Sequence, residues 1–401
     1  MNAAANGQRV FYGWYVVTAA FVITFVGFGC AYTFSAFIEP LQKEFGASRG
    51  SVSLAFSLAG FLYFALGIVS GPLADRWGAR RLAVIGMLLT GGGLVLAARA
   101  TSLMEVYGAY AAGVGLGVGT AFVPTLGAVQ RWFSRRRALA SGLAVAGIGV
   151  GTLMVPALAS FLIGKIGWRE AYVVLGALSA IIGVVAALAL ENSPQDCGLA
   201  PDGERSTEGA TIHSAAASVR VAVQSREFKF LYASGLLCGL GVFVPFVHLV
   251  PYAADHGISA AAAAALISTI GAGSTAGRFL LGNFADRVGR VPALSAMIAG
   301  MGLSLVVWLF ASGLWSLVIF ALLFGIFYGG WVAVLPAVVM DRFGGRNVGS
   351  LIGILYTSVA LGTLIGPAAA GWAFDISGTY ELPIAVAIGG NLIAAALVAV
   401  A

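Results

Sequence analysis

Residues 71–81 read GPLADRWGARR, and residues 282–291 read GNFADRVGRV. The two phrases lie 211 residues apart, each at the end of an apolar run. The same interval separates Asp75 from Asp286, Pro156 from Pro367 and Gly151 from Gly362. The second half of the chain is therefore the first half written again. The composition is far from that of a water-soluble domain. Of 401 residues, 60% are hydrophobic and 9% charged, where a soluble domain carries about 25% charged residues. Too few charges remain to cover a water-facing surface. Apolar runs of about 20 residues, enough to cross a hydrocarbon core of roughly 30 Å, recur along the chain. The reading is an all-α membrane protein. The 56 glycines fit it, since small residues let membrane helices approach closely.

Hydropathy and helix breakers place twelve spans. Six lie near 14–38, 52–74, 82–99, 105–129, 138–164 and 169–190, and six near 228–254, 261–284, 291–311, 315–340, 347–372 and 382–401. Residues 1–190 are expected to form one six-helix bundle and residues 228–401 a second. Residues 191–227 are polar and contain Pro, Gly and Ser, the composition of a linker. The N-terminal MNAAANGQRVFYGWYV has one cation and no clear small-residue cleavage site, so it reads as an uncleaved first helix. Of the 22 Lys and Arg, sixteen fall in loops on one side of this topology and five (Lys43, Arg49, Arg99, Lys165, Arg169) on the other. The positive-inside bias puts both termini in the cytoplasm. It also accounts for the net charge of +6 with no nucleic-acid partner. Cys30, Cys197 and Cys238 have no metal-ligand spacing and suggest no disulfide framework. No Walker loop, zinc signature or Gly-x-Ser-x-Gly is present, so neither an enzyme nor a cofactor or metal site is expected.

Six helices repeated in parallel, with Gly-x-x-x-Asp-Arg-x-Gly and basic residues after the second span and again after the eighth, resemble the major facilitator superfamily. The resemblance covers the whole chain and implies two pseudo-symmetric six-helix bundles. In the phrase itself, Gly71 and Gly282 are expected to allow close helix contact. Asp75 and Asp286 sit where a carboxylate can face a neighbouring helix N-terminus. Arg76, Arg80 and Arg81 are expected to stay in water. Asp75, Arg76, Asp286 and Arg287 are then either a capped turn with positive-inside anchors or a latch that opens during transport.

Residues 132–172, WFSRRRALASGLAVAGIGVGTLMVPALASFLIGKIGWREAY, are similar to the corresponding stretch of monocarboxylate transporters. The matching residues are Arg135, Arg136, Leu139, Ala140, Gly142, Ala146, Gly147, Gly151, Gly167, Trp168 and Arg169. Gly13-Trp14 matches part of that family's first-span signature, without its acidic residue. The chain thus resembles bacterial relatives of monocarboxylate transporters, a group that also resembles the oxalate–formate exchanger. Gly147 and Gly151 form a small-xxx-small face, which reads as helix packing.

One cation of the 22, Arg278, lies within a span, two turns before Asp286. A charge at membrane depth costs a few kcal/mol and marks function by default. It either snorkels, pairs with a backbone carbonyl or reaches Asp286, or it binds a carboxylate with the two parallel bonds of a guanidinium fork. The resemblance implies the second, since a helix-8 arginine anchors substrate in both related groups. Ser274 stands where the animal transporters carry an aspartate, Tyr32 where they carry a lysine, and Val359 where the oxalate exchanger has a second cation. One fixed cation suits one carboxylate. His248, between Pro245 and Pro251, is either bonded to a freed carbonyl or a substrate contact and proton site. Tyr328 and Trp331 in the tenth span, and Tyr32, are further candidates for the substrate site. Thr120, Phe122 and Pro124 are weaker ones.

The expected function is a secondary carrier of a small monocarboxylate of the L-lactate or pyruvate type. It works as a proton-coupled symporter by alternating access, as a monomer in the bacterial inner membrane. The partners are the monocarboxylate, a proton and the lipid bilayer. The alternatives are an anion exchanger of the oxalate–formate type and a non-transporting membrane sensor or scaffold.

Overall fold

The computed structural model describes residues 11–133, 137–203, 219–343 and 348–401. The side chains of Asp75, Arg137, Ala138, Asn283, Asp286 and Val348 fall outside that description. Eleven described helices are long and apolar enough to cross a membrane, or twelve when one bent pair is counted. They are α1 (Gly13–Phe45), α2 (Arg49–Ala65 with Gly67–Trp77), α3 (Ala79–Ala98), α4 (Leu103–Trp132), α5 (Arg137–Ile166) and α6 (Trp168–Leu188). The second set is α7 (Arg226–Asp255), α8 (Ala260–Val288), α9 (Arg290–Leu309), α10 (Leu314–Phe343), α11 (Val348–Ser377) and α12 (Glu381–Ala399). Each expected span corresponds to one of these, so the chain is a multi-pass membrane protein. The bent pair is α2, turned by 41° next to Gly67 and one turn before Pro72, the residues that weaken a helical ladder.

The repeat is visible in the local chemistry. Ser48 and Ser259, 211 residues apart, cap α2 and α8 by accepting the N–H groups of Ser51 and Ala262 at 3.2 and 3.4 Å. Gly78 and Gly289, again 211 apart, take φ of 84° and 97° and turn the chain from α2 into α3 and from α8 into α9. Only glycine adopts that backbone without strain. The repeated phrase is therefore first of all a helix end followed by an obligatory glycine turn.

Two expectations about the phrase need correction. A methyl group at Gly71 would meet only Val123 at 3.6 Å, and one at Gly282 would meet nothing within 4 Å. Neither glycine is a close helix contact; both lie where their helices face open space or a loose neighbour. Nor does Arg80 stay in water. It donates to the Leu190 carbonyl at 2.8 Å and pairs with Glu191, tying the α2–α3 turn to the end of α6. Arg76, Arg81 and Arg287 are exposed. The Asp75 and Asp286 side chains, the other half of the latch reading, lie outside the described residues.

Bundle packing follows the small residues. Gly147 and Gly151 of α5 lie against the backbone of α1 at Phe21 and Phe25. Gly362 and Gly366 of α11 lie against α7 at Gly239 and Leu240. Lipid gives helices no hydrophobic reason to associate, so close backbone approach supplies the attraction. Arg169 closes the α3 end, donating to the carbonyls of Ala98 and Ala100 at 2.7 and 2.9 Å, pairing with Glu44 at 2.9 Å and stacking on Trp168. That is the structural role of the Gly-Trp-Arg motif.

The first six helices and the last six meet along two seams, α2 on α11 and α5 on α8. In the first, Gly60 receives the Thr363 side chain; in the second, Gly271 receives the α5 backbone at Thr152 and Leu153. Thr152 and Thr363 each bond the carbonyl four residues back, at 2.8 Å.

Candidate functional site

Arg278 sits in the α5–α8 seam. Its helix is drawn close to α10 by glycines: Gly273 and Gly277 of α8 lie on the α10 backbone, and Gly325 and Gly329 of α10 lie on the backbone of α8 at Ile270 and Ser274. This places a long side chain in the protein interior, where the residue is only 6% exposed. Its Nη1 donates to the Val145 carbonyl of α5 at 2.9 Å. Its Nε and Nη2 have no hydrogen-bond partner. A backbone carbonyl thus takes one N–H, as one of the expected alternatives had it. No described carboxylate pairs with Arg278, the Asp286 side chain lying outside the described residues, and the Nε–Nη2 edge has no described partner. That edge carries two parallel N–H groups, the geometry that matches both oxygens of one carboxylate. Leaving charged donors buried and unmet is costly, and an acceptor on this edge would remove that cost.

Tyrosines surround it. Tyr328, Tyr32 and Tyr356 stand within electrostatic range of the guanidinium. The hydroxyls of Tyr32 (α1) and Tyr328 (α10) are hydrogen-bonded at 3.1 Å, a direct bond between the two halves. Phe246 packs against both rings, with centroids 4.6 Å from Tyr32 and 5.3 Å from Tyr328. Trp331 joins the same wall 6.2 Å from Tyr328. The structure therefore brings Arg278, Tyr32, Tyr328 and Trp331 into one cluster. Sequence reasoning missed Tyr63, which packs edge-on against Phe28 at 5.7 Å beside Tyr32, together with Tyr356 and Phe246. The repeat interval held a signal for Tyr63, because it maps onto Ser274, one turn from Arg278. Of the weaker candidates, Phe122 packs on Phe28 at 5.0 Å, Pro124 is buried within α4 and Thr120 is half-buried. Val359 is buried with its side chain against Gly235 of α7.

His248 is placed elsewhere. Its Nε2 lies 2.7 Å from the Pro367 carbonyl and its Nδ1 3.0 Å from the Tyr380 hydroxyl. A carbonyl only accepts, so Nε2 carries the proton. Tyr380 lies between α11 and α12, and burial pushes its phenol up to about 12. It remains a donor at neutral pH, and its O–H donates to Nδ1. The same phenol oxygen accepts from Arg49 Nη1 at 3.2 Å. Arg49 binds Asp255 through two bonds of 2.6 Å and lies over the Phe374 ring at 4.2 Å. Asp375 accepts the backbone N–H groups of Arg49 and Gly50 at 3.1 and 2.9 Å. The start of α2 is thus clamped by α7, α11 and the α11–α12 turn. His248 belongs to this clamp and not to the Arg278 cluster.

The described residues hold no group of three or more His, Cys, Asp or Glu that could bind a metal ion. All three cysteines are free.

Comparison with known proteins agrees with this architecture. The Major Facilitator Superfamily profile matches residues 19–238 and 230–401. The chain is 32% identical over 380 residues to monocarboxylate transporter 3 of Rattus norvegicus, covering 92% of this chain and 76% of that protein. It is 29% identical to monocarboxylate transporter 11 of Homo sapiens (92% and 78% covered) and 30% identical to monocarboxylate transporter 12-B of Danio rerio (92% and 82%). Among solved structures, a bacterial homologue of the human lysosomal transporter Spinster, in an inward-facing and unoccupied conformation, superposes with a TM-score of 0.71 at 18% identity. The match covers 98% of this chain and 96% of that one, and it speaks for the fold alone.

Proposed function

Since the chain belongs to the major facilitator superfamily, as a transporter related to the monocarboxylate transporters and not an enzyme, we propose that it carries a small monocarboxylate of the L-lactate or pyruvate type. The open Nε–Nη2 edge of Arg278 carries this reading. A carboxylate docks on it side-on and replaces two missing hydrogen bonds. The guanidinium does not deprotonate at any working pH, so the empty site stays positive. Tyr32, Tyr328 and Trp331 wall the bound molecule. A second carboxylate finds no second cation, because Val359 occupies the only position where the oxalate exchangers place one. This favours a monocarboxylate over oxalate.

Transport proceeds by rocking of the two bundles, residues 1–190 and 228–401, about the site. Both termini lie in the cytoplasm of a bacterial cell, so the Arg49 clamp closes the outer side. Asp75, Arg76, Asp286 and Arg287 act as the inner latch. The working unit is a monomer. Proton-coupled symport suits the charge arrangement: a carboxylate entering with one proton moves no net charge. His248, bonded within the outer clamp, exchanges its proton at the gate and not at the anchor. The test is uptake of labelled L-lactate and pyruvate into proteoliposomes, with an acid-outside gradient and with voltage imposed separately. The reading expects the pH gradient to drive uptake and voltage to do little. Uptake that follows voltage and ignores pH sinks symport; no uptake of either acid sinks the monocarboxylate reading.

A further inference from the structure

Arg278 is held by the opposite half of the protein. The guanidinium extends from α8, in the second six helices, yet its one hydrogen bond is to the Val145 carbonyl of α5, in the first six. One turn along α5, Gly149 faces the same place. A methyl group there would collide with Thr275 Oγ1 of α8 and come within 3.2 Å of Arg278 Nη1. The next turn of the seam is equally tight, with Gly271 on the Gly149 carbonyl and on Thr152 and Leu153. A side chain at position 149 would press on Nη1 where it bonds Val145, and the glycine there leaves that place clear.

We propose that the Val145 carbonyl and the bare backbone of Gly149 form a seat that positions Arg278 for its substrate. Gly149 is then a positioning residue that sets carboxylate affinity from the other bundle. The argument rests on the carboxylate reading of Arg278. A guanidinium on a flexible stem can turn any of its edges toward a bound carboxylate. With Nη1 fixed on Val145, the Nε–Nη2 edge is the one left, and it is the edge with two parallel donors. The bond is 2.9 Å long and joins parts that rock against each other. A slide of about 2 Å takes it beyond hydrogen-bond range. The fork is then no longer held, and the bound carboxylate loses its oriented partner. Seating links affinity to bundle position, which is what a carrier needs in order to bind in one state and release in another.

Equilibrium binding to the purified protein tests the seat, using the tightest binder among L-lactate, pyruvate and acetate, with thermal unfolding measured in parallel. Gly149→Ala is expected to lower both affinity and thermal stability. Adding Thr275→Ala removes the collision with Oγ1 but leaves the methyl group beside Nη1. Gly149→Ala/Thr275→Ala should therefore regain most of the stability of Thr275→Ala, the methyl group still lying 3.1 Å from the backbone nitrogen of residue 275, and bind about fivefold more weakly than it, because a displaced fork loses one of its two bonds. A pure packing role predicts that affinity returns with stability. If the double variant binds like Thr275→Ala while Arg278→Lys has lost binding, the seat is wrong and the anchor stands. If Arg278→Lys binds like the wild type, or the wild type binds none of the three acids, the anchor itself is wrong and the seat goes with it. Thr275→Ile, which wedges the same contact from the α8 side, serves where the double variant does not accumulate; wild-type affinity there overturns the seat.

Discussion

The α2–α11 seam and the α8–α5 seam are two copies of one contact. Gly60 and Thr363 in the first stand 211 residues from Gly271 and Thr152 in the second, and the two threonines make the same bond to the carbonyl four residues back. The copies differ in where they hold charge. The α2–α11 seam has Arg49 at its end, set into Asp255, Asp375 and Tyr380, and Gly67 at its centre. The α8–α5 seam has Ala260 at its end, where the one polar contact is Ser160 to the Ala260 carbonyl at 3.5 Å, and Arg278 at its centre. The same scaffold thus carries a clamp in one copy and, in the function proposed above, a binding position in the other. Arg49 stands where the second half has Ala260, and Arg278 where the first has Gly67; the partners of Arg49 differ as well, Asp375 and Tyr380 standing where the first half has Gly164 and Arg169. The break and bend in α2 beside Gly67 and the unbroken helix of α8 through Arg278 follow the same division.

The comparison breaks most visibly at Arg278. Lysine keeps the charge but is a point donor and cannot make two parallel bonds. Arg278→Lys should reduce lactate uptake about 100-fold, since truncating a buried charge contact costs about 3 kcal/mol. Uptake normalised to the protein in the membrane measures it. Near-normal uptake removes the central charge from function and leaves the two seams equivalent in role.

The clamp comes next. Arg49→Ala deletes the bonds to Asp255 and Tyr380 at once. It lies at the end of the seam, so the effect should fall on cycling. Maximal uptake should change about tenfold, the factor for about 1.4 kcal/mol in a conformational equilibrium, while binding to Arg278 stays within about twofold. A tenfold fall in equilibrium affinity with unchanged cycling would merge clamp and site into one unit. Asp375→Asn is the milder form. The amide oxygen keeps one of the two bonds to the α2 N-terminus, and a change of about threefold in maximal uptake is expected from losing the other.

Much of this was legible in the sequence. The twelve spans followed from hydropathy, and the repeat from the phrase at 71–81 and its echo at 282–291. Arg278 declared itself as the one cation inside a span. What was not legible depends on helix rotation. Gly71 and Gly282 looked like contact glycines, whereas the contacts are made by Gly273, Gly277, Gly325 and Gly329. Periodicity in a helix that is apolar on all sides does not say which face meets protein and which meets lipid. His248 reads as a residue of the seventh span, but nothing in the sequence shows that Pro367 and Tyr380 take both its nitrogens. Those partners lie more than 100 residues away. Tyr63 was recoverable by laying one half over the other, since its counterpart is Ser274.

The smallest expected effect tests the repeat itself. In the first half, Thr24 of α1 faces Gly147 of α5, and its hydroxyl donates to the Ala144 carbonyl at 2.7 Å. In the second half the sizes are exchanged: Gly235 of α7 faces Ser358 of α11, and the Ser358 hydroxyl donates to the Leu355 carbonyl at 2.6 Å. Ala144 and Leu355 are 211 residues apart, so the same carbonyl is met from the partner helix in one copy and from its own helix in the other. Gly147→Ser alone should collide with the Phe21 carbonyl and with Thr24 and destabilise, because added volume in a tight contact costs about 1–3 kcal/mol. Adding Thr24→Gly sets glycine against serine, as in the second half, and clears the collision with the threonine side chain but not the one with the Phe21 carbonyl. The double variant should therefore recover only part of the thermal stability lost by the single one. Its uptake should stay within about twofold of wild type, since Gly147 faces α1, whereas Val145 and Gly149 on the same helix meet Arg278 and α8. Thermal unfolding in detergent and lactate uptake read the two effects. A double variant no more stable than Gly147→Ser would mean that the halves share a pattern of small residues without sharing the contact.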